Sequence, residues 1–138
     1  MAPRREYLYY IEPKDDNPEL ELARQSLFIK AMSFTDDSLV DVFAVPNGSK
    51  RTRWQQMQAK KEGLKGGASD LVIAWDGGIL FAEFKNGQAM PRKDQHDWLN
   101  QKVKWGFNAG VFRTAAGLIK FLKQNGAPLS SITLAYAQ

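Results

Sequence analysis

Residues 69–87 read SDLVIAWDGGILFAEFKNG. Two apolar runs, about 70–75 and 79–85, fold back on each other at Asp76-Gly77-Gly78, a turn signal between β-forming residues. Side chains two apart on a strand share a face, so Glu83 and Lys85 point the same way. A two-residue type I′ turn at Asp76-Gly77 pairs residue 75 with residue 78 and sets Asp70 opposite Glu83. A turn at Gly77-Gly78 sets Asp70 opposite Lys85 instead. In both registers Asp70, Glu83 and Lys85 gather on one face at the open end of the hairpin, whereas a three-residue loop without a bulge would separate them. The other face then carries Leu71, Ile73, Trp75, Leu80, Ala82 and Phe84, uniformly apolar and expected in the core.

Two carboxylates facing each other across a hairpin repel. A divalent cation between them reverses that sign, because Mg²⁺ and Mn²⁺ take carboxylate and carbonyl oxygens. Lys85, one pleat along, stands where it can neutralise or orient a reacting phosphate or water. An exposed Asp–Lys pair, worth under about 1 kcal/mol, would account for two of these charges and leave Glu83 unexplained. The expectation is a metal site.

Outward from the hairpin, Asn17-Pro18 has the form of a helix start. Leu20, Ala23, Leu27, Ala31 and Phe34 follow at steps of three and four, an amphipathic helix. Residues 39–45, LVDVFAV, read as a strand ended by Pro46-Asn47-Gly48. A basic segment comes next, with Lys50, Arg51, Arg53, Lys60, Lys61 and Lys65 against the single acid Glu62, interleaved with glutamines and Trp54. It suits phosphate contacts, and is expected to be partly helical. Beyond the hairpin, Pro91–Lys104 reads as a helix stopping near Gly106, Ala109–Arg113 as a strand, and Thr114 as the cap of a final helix through Gln124. Residues 6–11, EYLYYI, read as a short strand or an aromatic arm. The order αβββαβ, then a helix, describes an α/β (α+β) domain with helices flanking one mixed sheet.

Composition narrows the chemistry. The 138 residues suit one domain and contain no cysteine, which excludes thiolate nucleophiles and zinc-thiolate sites. His96 is the only histidine, which removes most triad chemistry and any multi-histidine metal site. It is expected to be exposed or structural, since it diverges from Gln95 by about a hundred degrees on a helix. Trp54, Trp98 and Trp105 are left to partly buried packing. A net charge of +4 is moderate. With no long apolar run and no apolar h-region at the start, the expectation is a soluble cytoplasmic protein.

These residues resemble the VRR-NUC family of the PD-(D/E)XK nuclease superfamily, over most of the chain. Gly66-Gly67-Ala68-Ser69-Asp70 is similar to that family's glycine-rich approach to its metal-binding Asp, and Glu83-Phe84-Lys85 to its Glu-x-Lys. Asn47 resembles the Asn of a family turn, Gln95 a Gln opening the next helix, and Glu21 with Gln25 a helical Glu with a Gln four residues on. Ser69 stands where many members have Pro, and Val111-Phe112-Arg113 replaces the Val-Arg-Arg that names the family, leaving open what the missing arginine would contact, DNA or a partner subunit.

The resemblance implies a restriction-endonuclease-like core and a nuclease using Mg²⁺ or Mn²⁺ held by Asp70, Glu83, the Phe84 carbonyl and Glu21. Lys85 would position water or stabilise phosphate charge, and Gln95 would orient Lys85 or the DNA. Asn47 and the basic residues through Lys65 would contact DNA. A metal can lower the pKa of bound water and neutralise the phosphate, so no cysteine or histidine is needed. By analogy with small standalone members, of a kind that suits phage or bacteria, the expectation is a homodimer resolving four-way (Holliday) junctions. The alternatives are a monomeric flap or nicking nuclease and a non-catalytic DNA-binding module.

Overall fold

The computed structural model describes residues 6–46 and 52–138. The hairpin forms as β3 (Leu71–Trp75) and β4 (Gly78–Phe84), with Trp75 paired to Gly78 and Leu71 to Ala82. The register is the one that carries Asp70 to Glu83. The turn is not type I′: Gly77 has φ of +94° and, among the described residues, no non-glycine residue has positive φ, Asp76 included. Type I′ requires positive φ at both central residues, and Asp76 does not adopt it.

Around this hairpin the sheet has five strands in the order β1-β5-β4-β3-β2. Strand β2 (Val40–Ala44) pairs antiparallel with β3, as the apolar run 39–45 predicts. On the other side β5 (Asn108–Phe112) runs parallel to β4, and β1 (Tyr10–Ile11) parallel to β5. The aromatic segment 6–11 is thus both arm and strand, with only its end in the sheet.

Helices cover both faces. α1 (Glu21–Met32), α4 (Ala115–Gln124) and the short α5 (Ser131–Ala135) pack on the face carrying Leu71, Ile73, Leu80, Ala82 and Phe84. α3 (Lys93–Lys104) lies on the opposite face, where Leu99 and Trp98 meet Phe81, Ala109 and Val111. The fifth helix, capped by Ser130, was not expected from the sequence. α2 (Arg53–Lys61), opened by a Thr52–Gln55 capping box, buries only Ala59. No helix among the described residues is long and apolar enough to cross a membrane.

Two expectations about α1 fail together. The helix starts at Glu21, not at Asn17-Pro18, because Asn17 is used elsewhere: its Oδ1 accepts from Glu19 N–H and its carbonyl from Arg24. Its buried side chains are Arg24, Phe28, Ala31 and Met32, a face turned by roughly a quarter of a circle from the expected one. Leu20, Leu27 and Phe34 are consequently 73%, 43% and 44% exposed. Arg24 decides the rotation. It pairs with Asp15 at 3.0 Å and donates to the carbonyls of Glu19, Asn17 and Arg113, so the charged residue goes inward.

Candidate active site

The open end of the hairpin lies under the first turn of α3. Asp70 immediately precedes β3 and is half-buried; its Oδ2 accepts the Phe84 N–H at 2.9 Å, which closes the hairpin one residue past the ladder. Glu83 is 1% exposed. Its Oε1 accepts from Gln95 Nε2 at 2.9 Å, while Gln95 Oε1 accepts from the Arg92 N–H at 3.0 Å. One side chain therefore caps α3 and aims Glu83. Gln95 orients Glu83, where the resemblance implied Lys85 or DNA.

Glu83 Oε2 is buried without a hydrogen-bond partner. Burial, followed by the like charge of Asp70, pushes the Glu83 carboxyl up to about 9, and burial also raises Asp70. As a carboxylate, Glu83 leaves Oε2 without a donor. Two buried acids held this close favour the protonated form of Glu83.

Lys85 is buried on the same face and follows β4 directly, its N–H donating to the Phe112 carbonyl. It forms an ion pair with neither carboxylate, but its charge lowers both. The glycine approach to Asp70 is sterically dictated at Gly67, where a Cβ would come 2.8 Å from the Asp94 carbonyl and φ is +86°. Ser69 is fully buried and its Oγ donates to the Leu71 carbonyl.

The remaining expected site residues are dispersed. Phe84 sends its side chain into the core and ends β4. Glu21 is exposed at the start of α1, and among the described residues no group of three or more His, Asp or Glu is placed to hold a metal. Glu21 is therefore not brought to the hairpin pair. Arg53, Lys60, Lys61 and Lys65 are exposed on α2 and the loop after it. Asn47, Lys50 and Arg51 lie outside the described residues.

His96 is buried and structural: its Nδ1 lies 2.7 Å from the Tyr9 hydroxyl, tying the N-terminal arm to α3. Phe112 is fully buried beside Tyr10 and Phe121, so the position of the missing arginine faces the core and not DNA or a partner. Sequence reasoning assigned nothing to Arg113, which is fully buried and donates to the carbonyls of Glu12, Asn86 and Ala89 at 2.7–2.9 Å. It fastens the segment joining Lys85 to α3. A basic residue ending an apolar strand was the one available signal.

No family model matches the chain, and no curated protein sequence does. A solved structure titled "VRR_NUC domain protein" does, with a TM-score of 0.62 and 18% identity, over 78% of this chain and 88% of that one. The chain shares the fold of that structure, a mixed five-stranded sheet flanked by helices.

Proposed function

We propose that this protein is a metal-dependent endodeoxyribonuclease that hydrolyses phosphodiester bonds in branched DNA, acting as a homodimer on four-way junctions. The observation that carries the reading is Glu83 Oε2, a buried carboxylate oxygen without a donor, beside a second carboxylate at the open end of a hairpin on a nuclease fold. Native proteins rarely bury such an atom unless something absent from the chain completes it.

The residues fit a hard divalent cation. Mg²⁺ is commonly held by one or two carboxylates with water and substrate oxygens completing the shell. Asp70 and Glu83 supply two carboxylates, and the Phe84 carbonyl is the further oxygen we assign. Glu21, exposed on α1, is given no part. A bound Mg²⁺ or Mn²⁺ would lower the pKa of a water and polarise the phosphate.

The chain's own contribution is positioning. Gln95 fixes the Glu83 carboxylate through Nε2, and the N-cap of α3 in turn fixes Gln95. The Phe84 N–H holds Asp70 Oδ2. Lys85, unengaged by either acid, is available to donate to a phosphate oxygen as charge builds there, and burial strengthens that contact. The exposed lysines and arginines of α2 and its following loop supply sequence-independent contacts to the DNA backbone. For the dimer, the exposed residues Leu20, Leu27 and Phe34, along α1 and just beyond its ends, offer an apolar surface of the kind that symmetric contacts bury.

Labelled four-way junction, flap, splayed and duplex DNAs are incubated with wild type and Mg²⁺ or Mn²⁺, beside Asp70→Ala and Lys85→Ala. Paired symmetric cuts in the junction, lost in both variants, support the proposal. Cuts confined to flaps by a monomer in sedimentation would discard the resolvase. Binding without cutting of any substrate would discard the enzyme.

A further inference from the structure

Beside the candidate site, the outer face of α3 and the loop after α2 enclose a cleft of about 300 Å³ lined by Lys65, Gly66, Asp94, Asp97, Trp98 and Gln101. Its charges are unevenly paired. Asp94 is held by Arg92 at 3.3 Å, and Asp97 by Lys93 at 2.8 Å. Among the described residues no carboxylate forms an ion pair with Lys65 or Lys102. The acids of the cleft are thus paired with cations outside its lining, whereas Lys65 in the lining and Lys102, next to Gln101, are paired with no carboxylate.

Lys102 is held in place by aromatic rings. Its Nζ lies 4.5 Å from the centre of the Trp98 ring and 4.0 Å from that of Trp105, and donates to Gln101 Oε1 at 2.8 Å. Burial, and then the like charge of Lys65, lower its pKa. Lys102, fixed over two indole rings beside the Trp98 and Gln101 walls of the cleft, and Lys65 in its lining offer an anion two cations. Next to them Trp105 is 60% exposed and Phe107 is also exposed, although a large apolar surface in water is unfavourable.

Along α3, Gln95 and Lys102 are separated by about 10 Å, or about three nucleotide steps at B-form spacing. A strand whose scissile phosphate lies at Glu83 and Lys85 would therefore reach the cleft with a neighbouring nucleotide. An indole face can stack only on a base that is out of the duplex.

We propose that this cleft and the Lys102–Trp105 surface beside it form a subsite for one unpaired nucleotide of the DNA, with its phosphate at Lys65 and Lys102 and its base stacked on the exposed Trp105 ring. The inference rests on the nucleic-acid reading of the hairpin site and deepens it: the subsite would select substrates that offer single-stranded character within a few nucleotides of the cut.

The test is equilibrium binding in the presence of a chelator, so that no cleavage intervenes. Single-strand-tailed and blunt duplexes are bound to wild type, Trp105→Ala, Trp105→Phe and Lys102→Gln, with melting curves confirming that each is folded. Trp105→Ala should weaken tailed-duplex binding about tenfold, consistent with base–aromatic stacking, and leave blunt-duplex binding within about twofold. Trp105→Phe should restore most of the loss. Lys102→Gln should weaken the tailed duplex and flatten its salt dependence by about one ion.

An abasic site walked along the tail gives the sharper readout. At one position it should weaken wild type about tenfold and Trp105→Ala less than about twofold, because the stacking partner is already gone. Equal abasic penalties in both proteins at every position would overturn the subsite, as would equal weakening of blunt and tailed duplexes. Tail discrimination through Trp105 in a protein that cuts nothing with Mg²⁺ or Mn²⁺ would uphold the subsite and remove the nuclease. Normal cutting with no Trp105 effect on tails would do the reverse and leave the aromatic strip to a protein partner.

Discussion

Two adjacent strands of the sheet end in buried charge, and the two ends differ in one respect. Beyond β5, Arg113 is fully buried with its donors directed at the carbonyls of Glu12, Asn86 and Ala89. Arg24 beside it is tied to Asp15, whose carboxyl it holds below the usual carboxylate range. Glu12 closes the group by accepting from the N–H groups of Arg113 and Thr114 and from the Thr114 hydroxyl at the start of α4. At the end of β4 next door, Glu83 is as buried but has one oxygen with no donor and a second acid for a neighbour. A buried charge whose hydrogen bonds are complete belongs to the architecture. One left incomplete is what the proposed metal site requires.

That contrast can be broken from either side. The largest effect expected is on chemistry: Asp70→Asn keeps an acceptor for the Phe84 N–H but removes a carboxylate, and should lower metal-dependent cleavage by about a thousandfold or more. Its melting temperature should equal or exceed that of wild type, since a repulsion has been removed. A fall of several degrees would place Asp70 with the architecture and sink the contrast.

Arg113→Met should do the opposite. It strands three carbonyl acceptors and should destabilise the fold by about 3–5 kcal/mol, read by urea unfolding. A stable Arg113→Met protein would mean that the cluster is not structural. Smaller, and of opposite sign, is Glu83→Gln in the presence of a chelator. The Glu83 pKa is raised from 4.5 to about 9, so the native state holds a proton that the unfolded chain releases over that window. Wild-type stability therefore falls as pH rises from about 4.5 to 9. Glu83→Gln lacks that loss and should be more stable by at least about 1 kcal/mol at pH 8, with the gap closing toward pH 5. An equal melting temperature at both pH values would show that Glu83 is not protonated. The smallest effect expected is Thr114→Ala, which removes a helix cap and an acceptor-filled contact to Glu12 and should cost about 1 kcal/mol without altering cleavage.

The site was legible in the sequence where the signal was local. Alternation along 70–75 and 79–85 put Asp70, Glu83 and Lys85 on one face, and the observed register is one of the two that the turn residues allowed. The Gln95 position was legible as well, but its partner was not. That Gln95 reaches Glu83 depends on where α3 docks on the sheet, which no spacing within either segment encodes. Lys102 and Trp105 were passed over for a related reason: a tryptophan in a helical sequence reads as packing until the fold leaves its ring in solvent.

The rotation of α1 shows the same division most clearly. Its sequence offers apolar residues on two overlapping faces, through Leu27 or through Phe28, and hydrophobic periodicity cannot choose between them. The choice rests on Arg24, whose burial requires acceptors from Asp15, from Asn17 and from the Arg113 carbonyl 89 residues away. The sequence by itself determined the hairpin, the face shared by its three charges, the cap of α4 and the absence of thiol or polyhistidine chemistry, because each depends on residues within a few positions of one another. Tertiary structure decided which helix face is buried, which acid Gln95 holds and which charged groups are left unpaired, because those depend on donors and acceptors that meet only when distant segments pack.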